Sequence, residues 1–393
     1  MKKRFNFLLP AALALLVCLT GACRKTSAAS GNTAEAAGTA QVVAKPEPQA
    51  AAKILATDMI GRELEVPAKP ERVITDRILP FPSTYFVAVR SGMEEVVAMH
   101  PASKSAAVNS MLNIMAPAVA RANTDIFNGN TPNVEEIMKL RPDLVFAYAD
   151  MEGAIDPYEK AGITALGIRA ASAAGGDSIE TLRGWFKVLA YTGGDKEGMD
   201  SIIREGEKAK QTIAQTLAAS SGANPSAVFL FSTTGNNFEI AGGNFFSEYW
   251  LKNSGAEDPA SKEFQGRKVV NMEQLYAWNP DIIYITNFTS LSPEEIYQNT
   301  ALGLDWGSLK AVKNKRVHKV PLGIYRWFPP SGDTPLMLYW LAQKNHPELF
   351  TYSFEDVLKK YYQEHYGYDL NQDEIAFILN PNAAAAAGYT VGR

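Results

Sequence analysis

Residues 177–222 read DSIETLRGWFKVLAYTGGDKEGMDSIIREGEKAKQTIAQTLAASSG. Ile179, Leu182, Phe186 and Leu189 recur at helical spacing behind Asp177 and Glu180, the pairing of a capping box. Gly193 and Gly194 break that helix, and Asp195 caps a second one. The apolar face of the second helix runs Met199, Ile202, Ile203, Ala209, Ile213 and Leu217 until Ser220, Ser221 and Gly222 stop it. At 1.5 Å per residue it is roughly 36 Å long, about one small domain across. Read alone, the stretch fits equally a crossover helix inside one α/β domain and a strut between two.

The flanking segments tip the balance. Residues 133–148 read NVEEIMKLRPDLVFAY, and residues 271–286 read NMEQLYAWNPDIIYIT. Asn, Glu, Pro and Asp coincide, and the apolar positions match throughout. Each unit is a capped helix, a Pro-Asp turn and a buried strand, one supersecondary part used twice. Outward from these units, strands are predicted at 54–57, 63–66, 72–75, 96–100 and 164–168, and then at 227–232, 238–241 and 318–320. Strands alternating with helices imply mostly parallel sheets between helices. The expected fold is α/β, with two Rossmann-like lobes joined by one long rigid helix.

Composition bounds the function. The 393 residues suffice for two domains, and 46% hydrophobic with 20% charged residues is a soluble, globular balance. The net charge of −4 becomes more negative once Lys2, Lys3 and Arg4 leave with an export signal, which argues against a nucleic-acid partner. That signal is a basic start, an apolar run through Leu19, and Thr20-Gly21-Ala22-Cys23. Cys18 departs with it, so Cys23 is the only mature cysteine and no intrachain disulfide is possible. From Arg24 the chain is Ala, Thr, Ser, Gly and Pro without periodicity, a flexible tether. The division expected is a signal at 1–22, a tether at 23–52, an N-terminal lobe at 53–194, a linking helix at 195–221, a C-terminal lobe at 222–381 and a disordered tail at 382–393.

Small residues before Cys23, the tether, the "Pro70-Glu71-Arg72-Val73-Ile74" stretch, the repeated unit, the long helix and the C-terminal block Tyr339…Phe350 resemble a cluster A (class III) ABC-transporter solute-binding lipoprotein. Thr20 departs from the Leu commoner at that place of a lipobox. The resemblance implies an exported, monomeric receptor, lipid-anchored through Cys23, that captures a metal complex between its lobes. It passes that cargo to an ABC permease dimer with its ATPase subunits. A ferric siderophore or related iron chelate is the first expectation. Molybdate or tungstate oxyanion, a nickel chelate, haem and cobalamin stand as alternatives. In this family a Glu on each lobe engages arginines of the two permease subunits. Glu135 and Glu273 match those positions, whereas the plain alternative is a carboxylate favoured at a helix N-terminus.

Ligands of two-lobed α/β binders lie at the carboxyl ends of the strands. On or beside the loops expected there fall Arg77, Lys104, Arg169, Arg267 and Arg326, with few carboxylates. Tyr148, Phe246, Tyr325 and Trp327 supply rings. Asn244 lies in a Gly242-Gly243 turn that opens a helix, where free N–H groups suit an anion. Positive charge with rings fits a bulky anionic chelate, with Arg326 and Tyr325 expected as its chief contacts. The four histidines are widely spaced, which disfavours a cage for a bare metal ion, and no resident cofactor is expected. An enzyme, such as a lipid-anchored α/β hydrolase, would need a Ser or carboxylate paired with His on these loops. No nucleophile elbow, P-loop or dinucleotide fingerprint occurs.

Overall fold

Asp143 and Asp281, the aspartates of the two Pro-Asp turns, do the same thing in the computed structural model. Asp143 accepts the N–H groups of Glu71 and Arg72 at 2.7 and 3.0 Å. Asp281 accepts the N–H and hydroxyl of Ser226 at 3.0 and 3.1 Å. Each carboxylate fixes the residue just before a neighbouring strand, so the repeated unit sets how its own strand pairs. Val73 comes to lie opposite Leu144, and Ala227 opposite Ile282, both in parallel pairings. The structure describes residues 52–129, 131–170 and 174–389. Cys23, the signal and nearly all of the tether lie outside them.

The described residues open with an antiparallel pair, β1 (Lys53–Thr57) and β2 (Glu63–Pro67). Asp58 ties this hairpin to the body, accepting from the Gly167 N–H at 2.9 Å and pairing with Arg62 at 2.7 Å. Next come β3 (Val73–Thr75), β4 (Val96–Met99), the short β5 (Phe127–Asn128) and β6 (Thr131–Pro132), β7 (Leu144–Tyr148) and β8 (Ala165–Ile168). The order β4-β3-β7-β8 makes a parallel four-stranded sheet. After the long helix follow β9 (Ala227–Thr234), β10 (Asn237–Ala241), β11 (Arg267–Val270), β12 (Ile282–Ile285) and β13 (Val317–Lys319). They form a five-stranded sheet, β11-β10-β9-β12-β13, parallel across β9, β12 and β13 and antiparallel on both sides of β10. No strand is expected from the sequence at β11.

Alternation along the strands shows where the core sits. Leu144 and Phe146 of β7, Ala227, Phe229 and Phe231 of β9, and Ile282 and Tyr284 of β12 all enter one continuous core. Their neighbours Val145 and Ala147 pack in a separate cluster outside the first sheet. Val228, Leu230, Ile283 and Ile285 pack in another outside the second. Both sheets are thus buried on both faces, as parallel sheets require, and their inner faces share one core.

The helix Lys196–Ala218 carries much of that sharing. Asp195 caps it, accepting the Gly198 N–H at 3.1 Å, and Met199, Ile202, Ile203, Ala209 and Ile213 are buried. Helices Phe81–Val89 and Ser178–Leu189 of the first half pack on it, and so do Phe246–Asn253 and Thr334–Asn345 of the second. Gly206 allows the close approach: a Cβ there would stand 3.1 Å from Ile179 and 3.7 Å from Pro335.

The C-terminal segment corrects the expectation of a disordered tail. Residues 382–389 are placed against the body, with a 3-10 turn at Ala383–Ala386 begun by Asn382 and with Ala385 fully buried. Alanine repeats carry no periodic signal, but small residues fit where the backbone itself is gripped. Residues 390–393 lie outside the described chain.

Candidate functional site

A cavity of about 210 Å³ lies where the two sheets face each other. From the first sheet come Arg77 just beyond β3, Tyr148 at the end of β7, Asp150, and Ala170 beyond β8. From the second come Phe231 of β9, Arg267 opening β11, Phe288 beyond β12, and Phe245 and Phe246 at the start of a helix. Trp185, Phe328 and Tyr389 complete the wall. A larger open groove of about 730 Å³ runs beside β13. It is bordered only by second-half residues, including His318, whose ring burial holds near a pKa of 4 and therefore neutral. The smaller cavity is the better candidate, because both sheets deliver a cation to it at a strand-end crevice.

The two cations are Arg77 and Arg267. Arg77 lies over the Tyr148 ring at 4.9 Å and has its Nε 3.3 Å from Asp76. Burial pushes the Asp76 carboxyl upward, against the pull of Arg77 and of the Tyr148 N–H at 3.1 Å. Arg267 lies over the Phe231 ring at 4.6 Å, stands 3.7 Å from Glu239 and donates to the Tyr389 hydroxyl. The side chains keep 21% and 31% of their surface exposed, so each retains an open face. Planar guanidinium groups flanked by rings suit an anion or an anionic complex. Among the described residues no group of three or more His, Cys, Asp or Glu converges to hold a metal ion.

Two sheets and a crevice between them, lined from both sides, match a known architecture. Residues 93–321 fit the profile of the family described as "Periplasmic binding protein". The chain belongs to that family.

Among its relatives is the molybdate-binding protein MolA of Haemophilus influenzae, 24% identical over 265 residues, which are 63% of this chain and 73% of the relative. Another is the putative ABC transporter substrate-binding lipoprotein YhfQ of Bacillus subtilis, 23% identical over 212 residues, 51% of this chain and 63% of that protein. A solved periplasmic solute-binding protein from Veillonella parvula superposes with a TM-score of 0.73 at 28% identity, covering 86% of this chain and 100% of its own. The protein is thus an extracytoplasmic solute-binding component of an ABC importer, and the hydrolase reading falls away.

Within this binding protein the expected contact residues divide. Arg77, Tyr148, Phe246 and Arg267 line the cavity. Tyr325, Arg326 and Trp327 do not, which corrects the chief role expected of the first two. Arg326 is fully buried. Its Nε donates to the Asn287 carbonyl at 2.9 Å, Nη1 to the Tyr325 hydroxyl at 2.7 Å and Nη2 to the Ala385 carbonyl. It lies 4.5 Å over the Phe288 ring, one layer behind the wall. Trp327 donates to Asp333 at 2.9 Å. This polar-aromatic stretch is a satisfied buried network, which from sequence looks the same as a binding loop.

Three others are also placed elsewhere. Lys104 lies on the helix Pro101–Val108, its Nζ bonded to the Ala122 carbonyl at 2.7 Å. The Asn244 N–H, expected to face an anion, is taken by Glu248 at 2.7 Å. Arg169 is exposed, and its carbonyl accepts from Trp185 at 2.7 Å. The sequence reading missed Phe231, which lies within β9, Phe288, which lies just beyond β12, and Tyr389, which nothing in an alanine-rich tail signals. Glu135 and Glu273 are exposed in the first turns of helices Val134–Lys139 and Met272–Trp278. The caps of those helices are Asn133 and Asn271.

Proposed function

We propose that the protein captures a small anionic metal species, first of all an oxyanion of the molybdate or tungstate kind, between Arg77 and Arg267. The observation that carries this reading is the pair of arginines, one from each sheet, at a cavity of about 210 Å³. That volume falls below the roughly 300–1,000 Å³ typical of organic-ligand pockets, so it suits a compact anion better than the ferric siderophore expected first. A relative that binds molybdate supports the same choice. The rings of Tyr148, Phe231, Phe245 and Phe288 favour a second reading, a small chelate whose organic shell packs on them. The long helix, with partners from both halves, would act as the strut between lobes.

Cys23 would carry lipid, and Glu135 and Glu273 would meet the permease. Both roles rest on the family resemblance and on the exposure of the two carboxylates. The deciding experiment is calorimetry with molybdate, tungstate, nickel(II)–histidine, haem and a ferric siderophore, beside metal analysis of protein from its own host. Binding of an oxyanion that is lost in Arg267→Ala supports the first reading. Binding of the siderophore alone overturns it.

A further inference from the structure

The Arg267 and Arg326 guanidinium groups both donate to one short stretch of the chain's own C-terminus. Arg326 Nη2 donates to the Ala385 carbonyl, and Arg267 Nη1 to the Tyr389 hydroxyl. The Tyr389 ring stands edge-on to Phe288 at 4.8 Å and to Phe231 at 5.8 Å, and it forms part of the cavity wall. Two oxygen acceptors and an aromatic ring, set against two arginines and two phenylalanines, are the features an anionic chelate would present to the same surface.

The seat is built from both halves of the molecule. In the first half, Ser105 donates to the Ala384 carbonyl at 2.9 Å. Gly388, at φ +74°, lies so close to the helix beginning at Pro101 that a Cβ would stand 2.9 Å from the Ala102 nitrogen and 3.0 Å from the Pro101 carbonyl carbon. Only glycine combines that left-handed backbone with that clearance. The second half supplies Arg267, Arg326, Phe231 and Phe288.

We propose that residues 382–389 are a ligand mimic carried by the chain itself: the segment occupies part of the binding cleft and must leave before a larger anionic ligand can reach Arg267 and Arg326. The proposal rests on the reading of this cavity as the ligand site. It gives the buried Arg326 a role that the seated form hides, and it makes the tail a determinant of cargo size. A tail seated about nine-tenths of the time would lower apparent affinity about tenfold, because ligand meets only the open fraction.

Two variants unseat the tail differently. One ends the chain after Pro381; the other is Gly388→Ala, which keeps every acceptor and alters only the fit. Both are compared with the full chain by calorimetry with sodium molybdate and a ferric tris-catecholate, a bulky anionic chelate, and by hydrogen exchange at residues 287–288 and 245–246. We expect faster exchange at those sites, unchanged exchange in β7, and about tenfold tighter binding of at least one probe. Unchanged exchange overturns the proposal whatever the probes do. Equal or weaker binding once exchange has risen overturns it too, since the tail would then be a wall and not a competitor. Faster exchange with no probe bound by any form supports the seat and defeats the small-anion reading instead.

Discussion

β3 and β9 hold equivalent places in the two sheets but have different company. Each is joined on one side to the strand of the repeated unit, in matching alignment, with the residue just before it held by the Pro-Asp carboxylate. On the other side β3 has the parallel strand β4, whereas β9 has the antiparallel strand β10, itself paired antiparallel with β11. The shared side is fixed by backbone hydrogen bonds that any sequence keeping Asn, Pro and Asp can make. On the free side the chain is constrained only to pair, so it can bring different side chains to the crevice. In the first sheet the cavity cation follows β3 itself, as Arg77. The second sheet delivers Arg267 from β11, a strand with no counterpart in the first. Pseudo-symmetry therefore governs the scaffold, while the lining of the cavity is asymmetric.

The largest expected effect tests the symmetric side. Glu135→Lys together with Glu273→Lys should abolish uptake while cargo affinity and Tm stay near the parent values, because rim charges act through encounter and orientation. Each single reversal should give an intermediate defect. Uptake that survives in the double variant would return both residues to an ordinary helix-end role. The asymmetric side comes next. Arg267→Ala and Arg77→Ala should each weaken anion binding by about 10- to 200-fold, the loss of about 1.5–3 kcal/mol from a charge-assisted pair. If only one of them matters by calorimetry, a single sheet holds the ligand.

A third test returns to the scaffold. Asp143→Ala and Asp281→Ala should each cost about 1–2 kcal/mol in denaturant unfolding, since each strands backbone donors. Costs differing severalfold would mean that the two units are alike in form only. The smallest effect is a pH slope belonging to the second half. Burial pushes the Asp258 carboxyl up to about 7 from an ordinary 3.8, against the amides of Ser261 and Ala260. Between those values the folded protein keeps a proton that the unfolded chain has released, so stability falls as pH rises through the window. Asp258→Asn should flatten that fall, seen as a drift in Tm of about a few degrees.

Much of this architecture was legible in the sequence because it is periodic. The repeated unit, the long helix and nearly every strand of the two sheets follow from spacing, caps and turn residues. β11 escaped because Arg267-Lys268-Val269-Val270 shows no alternation, and as an edge strand it needs little. Four of the ten expected contacts reached the cavity, and these stand at strand ends or a helix start, where position alone implies exposure to the crevice. Arg326 misled because a guanidinium beside rings reads the same whether its acceptors belong to a ligand or to the chain. Tyr389 was illegible for the complementary reason: its place depends on contacts made far along the sequence, at Pro101, Phe231, Arg267 and Phe288.

The core shared by the two inner faces has a mechanical consequence. Prising the sheets apart far enough to wet about 200 Å² of that apolar surface would cost about 5 kcal/mol, more than thermal fluctuation supplies often. Wide gaping of the jaws is then an unsuitable way in or out for cargo. Exchange has to run through the rim, by rotation of cleft side chains and yielding of short loops. A permease that extracts cargo from such a vice would act as a lever on that rim.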